Sequence, residues 1–102
     1  MSEQKVISLL GLAQKAGKIA SGEVAVEKAV QSGKAKLLVI AIDSSENTRK
    51  GYRDMALYYK VPLYERLTKE QLGNCIGKAH RAALAILDEG FSGVIVKTMM
   101  DI

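Results

Sequence analysis

The 102-residue chain has few cysteines, histidines and long apolar runs, and each shortage excludes a class of protein. Cys75 is the only cysteine, so the chain forms no internal disulfide and suits a reducing compartment. His80 is the only histidine, and with Cys75 it gives too few ligands for a metal site. No apolar run approaches the roughly 20 residues of a membrane-spanning helix, and the first residues lack the pattern of a secretory signal. The sequence predicts a cytoplasmic protein without metal, cofactor or membrane contact.

Motifs for catalysis are also missing. The chain has neither a Walker-type phosphate loop nor a dinucleotide-binding fingerprint. Cys75 and His80 are the one nucleophile and base pair to consider, but a spacing of five residues on a helix gives them poor mutual geometry. A packed cysteine is the better interpretation. The carboxylates form no arrangement suited to acid–base catalysis, so the sequence predicts a non-catalytic protein.

The chain does have enough apolar residues for a core. Hydrophobic residues make up 48% of it, which argues against disorder. A chain of this length buries roughly 60–70% of its extended-chain surface in a single core. We therefore expect residues 1–102 to form one domain.

The spacing of apolar residues predicts helices that alternate with short strands. Helices are predicted over 5–16, 22–32, 44–60, 68–79 and 91–100, and extended segments over 18–21, 37–43, 61–67 and 81–88. The run LLVIAID is apolar almost throughout, which fits a strand covered on both faces. Alternation of this kind predicts a three-layer α/β/α sandwich.

Helix ends and buried stripes can also be assigned. Ser44 or Ser45 is expected to cap the third helix, and Thr68 the fourth, with Gln71 as its partner. The third helix should bury a stripe at three-and-four spacing, made of Tyr52, Met55, Ala56 and Tyr59.

The segment SGEVAVEKAVQSGKAK reads as a helix with two unlike faces. Ser21 is expected to cap it and Gly33 to end it. Its buried stripe should be Val26, Ala29 and Val30. Val24 and Lys28 then lie together on the opposite face. They are either ordinary surface residues or part of a contact with a partner.

The basic residues are grouped, and the net charge is +4. The groups lie at helix starts and in loops: Lys15 and Lys18 around Gly17, Lys34 and Lys36 after Gly33, Arg49, Lys50 and Arg53 in the third helix, and Arg66 and Lys69 before the fourth. Helix starts suit phosphate because they offer free backbone N–H groups and a favourable dipole. The alternative is that these residues only keep the surface soluble.

Four stretches carry a more specific resemblance: GLAQKAGKIASGE, VEKAVQSGKAKLLVIAIDSSENT, YKVPLY and TKEQLGNCIG. Their order and spacing over residues 6–95 resemble the family of archaeal and eukaryotic large-subunit ribosomal proteins and ribonucleoprotein core proteins that bind kink-turn RNA. The small bacterial YlxQ-like members are the most similar. The resemblance implies an α/β/α sandwich around a small, mixed four-stranded sheet. It also implies non-catalytic binding of structured RNA in ribosome-associated or other ribonucleoprotein particles.

The resemblance places one RNA contact at the start of the second helix, which in the family docks against tandem sheared G·A pairs. Gly22 and Lys28 match the family's glycine and lysine. Val24 and Ala25 stand where the family has an Asn-Glu pair, and neither side chain can hydrogen-bond a base. Glu23 lies one residue early, about 100° around the helix.

A second contact is implied ahead of the fourth helix, where a family loop packs over an extruded base. Thr68 and Lys69 match the family's Ser-Lys before the Leu-Gly of Leu72 and Gly73. Leu67 either supplies an apolar contact to that base or is buried under the loop. The loop after the central strand, with Asp43 and Asn47, lies near RNA in the family, although both residues are also ordinary caps.

The predicted RNA-binding residues are Lys18, Gly22, Glu23, Val24, Lys28, Lys34, Lys36, Arg49, Arg66, Leu67, Thr68 and Lys69. An alternative function remains open, in which the fold is a protein-interaction module that has lost specific RNA recognition. Val24 and Ala25 favour that alternative because they remove the family's base-reading pair.

Overall fold

A computed structural model describes residues 2–100, over which five helices alternate with four strands. In chain order they are α1 (Ser2–Lys15), β1 (Ile19–Ser21), α2 (Glu23–Gln31), β2 (Leu37–Ile40), α3 (Glu46–Tyr59), β3 (Leu63–Glu65), α4 (Lys69–Cys75), β4 (Ala83–Ile86) and α5 (Glu89–Met100). The predicted alternation is confirmed, with shorter strands than the sequence indicated.

The four strands form one mixed sheet in the order β1-β4-β2-β3. Strands β2 and β3 run parallel, with Leu38 opposite Leu63. Strand β4 is antiparallel to both of its neighbours, and Ile86 lies opposite Ile19 on one side and Leu37 on the other. The fold class that the resemblance implied is confirmed.

The helices cover both faces of the sheet because successive strand residues point to opposite sides. On one face, α1, α4 and α5 pack over a core that includes Leu37, Val39, Leu84 and Ile86. On the other face, α2 and α3 pack over a core that includes Leu38, Ile40, Ala83 and Ala85. Every residue of β2 and β4 is buried, as the apolar run predicted for β2.

Two local assignments are wrong. Ser21 does not cap α2, because it is the last residue of β1 and pairs with Leu84. The N-cap is Gly22, with φ 90° and ψ 147°. Tyr59 is not part of the buried stripe of α3, since 40% of it is exposed next to the helix end. Tyr52 and Ala56 are buried as predicted.

The start of α3 follows the sequence, whereas α5 begins two residues before the predicted range of 91–100. Ser45 caps α3 by accepting the backbone N–H of Thr48 at 3.2 Å. Helix α5 forms through its β-branched run and begins at Glu89. The Asp88 carboxylate accepts the N–H of Phe91 at 2.8 Å and so satisfies one free amide of its first turn.

The topology gives the sheet two distinct ends. At the first, called the helix-start end, strands β1, β2 and β3 finish and helices α2, α3 and α4 begin; it comprises residues 21–23, 41–46, 66–69 and 81–82. At the opposite end, called the lysine end, helices α1, α2 and α3 finish; it comprises residues 15–18, 33–36, 60–62 and 87–89. The two ends hold different parts of the predicted RNA-binding set.

Candidate nucleic-acid interface

Hydrogen bonds tie the loops of the helix-start end into one surface. The N–H of Ile42 donates to the carbonyl of Leu67 at 2.8 Å, which joins the loop after β2 to the loop after β3. The Asp43 carboxylate accepts the N–H of Lys69 at 2.8 Å. The N–H of Arg81 donates to the carbonyl of Lys69 at 3.0 Å. Three separate segments are therefore held at fixed spacing around the start of α4.

Side chains satisfy the N–H groups of Thr68, Lys69 and Gln71 at the start of helix α4. Thr68 and Gln71 form a capping box, in which Thr68 Oγ1 accepts the N–H of Gln71 and Gln71 Oε1 accepts the N–H of Thr68. Asp43 takes a further N–H, that of Lys69. The predicted cap at Thr68 is confirmed, and Asp43 also acts as a cap.

Helix α2 begins differently, because no side chain caps it. Gly22 adopts a positive φ that side-chain-bearing residues rarely reach, and its carbonyl accepts the N–H of Val26 at 2.9 Å. The N–H groups of Glu23, Val24 and Ala25 precede the first intrahelical bond and receive no side-chain cap. Of the three helix starts at this end, α2 is the one whose first turn has no side-chain cap.

The outward face of α2 is exposed as the sequence predicted. Val24 is 64% exposed, and Ala25 and Lys28 are also exposed. An open groove runs beside this face, lined by Ala20, Ala25, Lys28, Ala29, Gln31, Ser32, Lys34 and Leu87. Lys28 and Lys34 therefore share one groove, a link that the sequence spacing alone did not reveal.

A narrower cleft of about 220 Å³ lies between α2 and α3. Its lining includes Glu23, Glu27, Asn47 and Tyr52. Burial raises the pKa of the Tyr52 hydroxyl, and the negative charges of Glu23 and Glu27 raise it further. Glu23 thus lies at the boundary between the acidic cleft and the open start of α2. A phosphate approaching the first turn would meet this carboxylate, so Glu23 favours base N–H donors over phosphate.

Leu67 is a correction to the predicted set. Its side chain is 2% exposed and belongs to the core beneath α4. Its backbone has φ 67°, a left-handed conformation that turns the chain inward between β3 and α4. The alternative of burial under the loop is the one observed, so the Leu67 side chain offers no surface to a base.

Arg49 is engaged within the protein. Its guanidinium lies 2.8 Å from Glu46 and 3.4 Å from Glu65, and Arg53 binds the same Glu65 carboxylate at 2.6 Å. These hydrogen bonds and charges, with Arg53 contributing most, lower the pKa of Glu65. Arg49 therefore anchors α3 to the end of β3, whereas Arg66 and Lys69 form no ion pair within residues 2–100.

The structure divides the remaining predicted residues between the two ends. Gly22, Glu23, Arg66, Thr68 and Lys69 lie at the helix-start end, with Val24 next to them, and Lys18, Lys34 and Lys36 lie at the lysine end. Lys28 lies on α2 between the two ends. Arg81 was not predicted, yet it joins the helix-start end. Gly73 is the residue that could have indicated this placement from the sequence. An added Cβ at Gly73 would lie 2.5 Å from the carbonyl oxygen of Ala79, so only glycine allows the close approach. The glycine lets the 79–82 segment approach α4 closely.

Two features of the described residues bear on other functions. Over residues 2–100, no helix combines the length and apolarity that crossing a bilayer requires. The same part of the chain contains no cluster of three or more histidine, cysteine, aspartate or glutamate residues placed to hold a metal ion. Burial raises the pKa of the Cys75 thiol, which is the behaviour of a packed cysteine rather than an activated one.

The fold and this end of the sheet define a class of protein: a small α/β/α domain with a mixed four-stranded sheet and helix starts grouped at one end. Within that class, the model of the ribosomal protein L7Ae/L30e/S12e/Gadd45 family matches residues 4–96. The chain belongs to this family, and the resemblance drawn from the sequence is confirmed.

Individual relatives cover nearly the whole chain. The RNA-binding protein YlxQ of Bacillus subtilis is 38% identical over 99 residues, which are 97% of this chain and 99% of that protein. The large ribosomal subunit protein eL30 of Candida albicans is 32% identical over 92% of this chain and 91% of its own length.

Solved structures agree with this assignment. A Bacillus halodurans protein superposes with a TM-score of 0.90 at 34% identity, covering 94% of this chain and 97% of its own. The Giardia lamblia 15.5kD RNA binding protein superposes with a TM-score of 0.79, covering 98% of this chain and 86% of its own. At 18% identity, the second structure supports the fold alone.

Proposed function

We propose that this chain is a small, non-catalytic RNA-binding protein that recognises structured, kink-turn-like RNA at its helix-start end. Residues 1–102 act as one RNA-binding domain in the cytoplasm, within ribosome-associated or other ribonucleoprotein particles. Family membership and relatives named as RNA-binding and ribosomal proteins support this proposal.

The open start of α2 is the observation that carries the proposal. Helices α3 and α4 close their own starts with Ser45 and Thr68, whereas α2 begins at Gly22 with no side-chain cap. Its unpaired amides can donate to base acceptors, and the Glu23 carboxylate beside them can accept from base N–H groups. Distorted RNA presents such base edges, while the deep major groove of an intact A-form helix does not admit side chains.

The surrounding side chains have two roles, contacting the RNA and positioning the loop before α4. Lys28 lies on the same exposed face of α2 and reaches phosphate or guanine acceptors. Arg66 and Lys69 contact the RNA backbone from the loop before α4. Arg49 and Thr68 position that loop, through Glu65 and through the capping box. Leu67 contributes through the turn that it makes rather than through its side chain.

The direct test measures the binding of two RNAs to three proteins: the parent, Lys28→Ala and a control variant. The RNAs are a kink-turn hairpin and the same hairpin with its G·A pairs replaced by Watson–Crick pairs. Lys28→Ala should weaken binding of the kink-turn hairpin by about 1–3 kcal/mol. The melting temperature of the Lys28→Ala protein should hardly change, since surface substitutions usually alter the free energy of unfolding by no more than about 0.5 kcal/mol. Lys5→Ala, an exposed lysine of α1, is the matched control and should bind as the parent does.

The salt dependence of binding gives a second readout. Each phosphate contact adds roughly one unit to the slope of log affinity against log salt, and we expect a slope of about three to five. A flat response, or equal affinity of Lys28→Ala and parent for the hairpin, contradicts the proposal.

One observation favours a second candidate, a protein-interaction module of the same fold. Val24 is apolar and 64% exposed at the centre of the proposed RNA surface, next to Ala25. A parent protein that binds neither hairpin at low salt would support that candidate instead.

A further inference from the structure

The lysine end is a second basic surface, separate from the helix-start end. Five lysines belong to it: Lys15, Lys18, Lys34, Lys36 and Lys60. Within residues 2–100, none of them forms an ion pair. The acidic residues at this end are Asp88 and Glu89, and the Asp88 carboxylate is bound to the N–H of Phe91 at the start of α5. The positive charge here is therefore largely uncompensated.

Backbone hydrogen bonds arrange several of these lysines in a row along the sheet. The carbonyl of Lys18 accepts the N–H of Leu87 at 2.8 Å, and the N–H of Lys36 donates to the carbonyl of Ile86 at 2.8 Å. Lys18 and Lys36 thus flank the end of β4, about 10 Å apart at two strand spacings. The carbonyl of Pro62 accepts the N–H of Leu38, which places the Lys60 turn on the far side of Lys36.

Aromatic side chains stand at the same end without a place in the core. Tyr58 is 79% exposed and Tyr59 is 40% exposed in the last turn of α3. Their rings meet edge to face with centroids 4.8 Å apart, an arrangement that aromatic pairs favour. Lys60 follows in a left-handed conformation, φ 59°, and ends the helix beside them. A large exposed aromatic pair beside several lysines suits a partner that has both negative charge and flat apolar faces.

We propose that the lysine end binds single-stranded RNA, with lysines on phosphates and Tyr58 stacked on a base. Proteins that hold single strands combine a positively charged track with aromatic stacking platforms. Protein interfaces, in contrast, are depleted in lysine at their cores. The groove lined by Ala25, Lys28 and Lys34 leads from α2 to this end. A strand leaving the structured RNA can follow that groove, so the path, though not the contact itself, rests on the proposed function.

The experiment measures what a single-stranded extension adds to binding. A blunt kink-turn hairpin is compared with the same hairpin carrying an oligouridine tail of roughly ten nucleotides, within the site sizes known for such contacts. In the parent, the tail should tighten binding about ten-fold, since one stacked base alone is worth roughly 1–3 kcal/mol. The gain is the ratio of the two dissociation constants at one salt concentration.

Variants identify the residues behind this gain. Lys34→Ala with Lys36→Ala should remove most of it, and Tyr58→Ala should reduce it about five-fold, while Tyr58→Phe should keep it because the ring remains. Lys5→Ala with Lys97→Ala removes the same charge from exposed positions on α1 and α5 away from the lysine end and should keep the full gain. Circular dichroism and melting curves confirm that each variant is folded.

The outcomes separate this inference from the proposed function. A parent that gains nothing from the tail overturns the inference even when it binds the blunt hairpin, and the tyrosine pair is then better explained as a protein contact. A lysine variant no worse than the Lys5 and Lys97 control also overturns it, and full gain in Tyr58→Ala removes the stacking contact. Loss of discrimination between the two blunt hairpins, with the tail gain intact, contradicts the proposed function alone.

Discussion

The two ends of the sheet differ in how their charges are held. Beside the helix-start end, Arg49 and Arg53 of α3 are bound by Glu46 and Glu65. Within that end, Asp43 is bound to a backbone amide, while Arg66 and Lys69 form no ion pair with the described residues. At the lysine end, no lysine is bound by a carboxylate of the described residues. The first end therefore has nearly balanced charge, and the second has an excess of positive charge.

This difference predicts that affinity and discrimination separate in variants. Charges already neutralised within the protein release no counterions from RNA, so they contribute little to the salt slope. Hydrogen-bonded loops instead hold donors at fixed positions, which is what reading a distorted RNA requires. Changes to the hydrogen-bonded loops of the helix-start end should therefore alter the preference between RNAs, and changes to lysines that form no ion pair should alter the response to salt.

The largest expected effect comes from Gly73, which allows the close approach that shapes the helix-start end. An added Cβ would lie 2.5–2.8 Å from backbone atoms of Ala79 and His80, and backbone cannot move aside as a flexible side chain does. Gly73→Ala should therefore destabilise the fold by about 1–3 kcal/mol. For a domain of this size the melting temperature should fall by roughly 5–20 °C, as measured by circular dichroism.

Gly51→Ala is the matched control for this prediction. Gly51 also lies in a helix, but nothing stands within 4 Å of its added Cβ, so alanine should stabilise the fold by about 0.5–1 kcal/mol. The two variants should also differ in RNA binding. Gly73→Ala should lose the preference for the kink-turn hairpin but keep the gain from the single-stranded tail, because Gly73 shapes only the helix-start end. Equal melting temperatures for the two variants would mean that the 79–82 segment is not held tightly against α4.

The sequence predicted the layers and the helices because both depend on local spacing. The apolar run of β2, the stripe of α2 and the capping pair of Thr68 and Gln71 each lie within a few residues of one another. The strand ends were less predictable, because they depend on where a neighbour stops pairing. For example, the apolar run continues to Ile42, but β2 ends at Ile40. The N–H of Ile42 donates to the carbonyl of Leu67 in a loop rather than to a neighbouring strand.

The candidate site was only partly predictable, since it depends on contacts distant in sequence. The exposed face with Val24 and Lys28 followed from helical periodicity. The burial of Leu67 depended on a left-handed turn that no local pattern indicated. Arg49 and Glu65 are 16 residues apart, so their pairing, which turns a predicted RNA contact into an anchor, appears only in the fold.

A middle-sized effect should follow from restoring the family's pair at the start of α2. Val24→Asn with Ala25→Glu places an amide and a carboxylate at exposed positions, where substitutions cost little stability. Glutamate in the first turn is also favoured by the helix dipole. A base contact of this kind is worth about 1–3 kcal/mol by analogy with bidentate readout in DNA. The double variant should prefer the kink-turn hairpin over its Watson–Crick counterpart roughly ten-fold more than the parent does.

Both proteins are titrated with both hairpins at one salt concentration. The salt slope should stay the same, because the change adds a reading contact and no lysine. An unchanged ratio of affinities would show that this face of α2 does not read the G·A pairs. The start of α2 would then have no role in discriminating between the two hairpins.

The smallest effect should come from Glu65, the carboxylate that holds Arg49 and Arg53 at the end of β3. Its lowered pKa, due first to the hydrogen bond with Arg53, means that the folded protein stabilises the charged form. This stabilisation is complete above the ordinary glutamate pKa of about 4.3 and is lost as the pH falls through the lowered value. Surface ion pairs contribute little, so Glu65→Gln should lower the melting temperature at pH 7 by only a few degrees.

The same variant should be less sensitive to acid, so its melting temperature and that of the parent should converge as the pH is lowered from 5 to 3. Asp54→Asn is the control, since its pair with Lys50 is about two-thirds exposed on both sides and joins no loop. Glu65→Gln should also loosen the loop of Arg66–Lys69. The affinity for the blunt hairpin should then fall slightly, while the gain from the single-stranded tail should be unchanged. A variant that melts in parallel with the parent across this pH range would show that Glu65 does not hold the loop. The fixed shape of the helix-start end would then rest on its backbone hydrogen bonds alone.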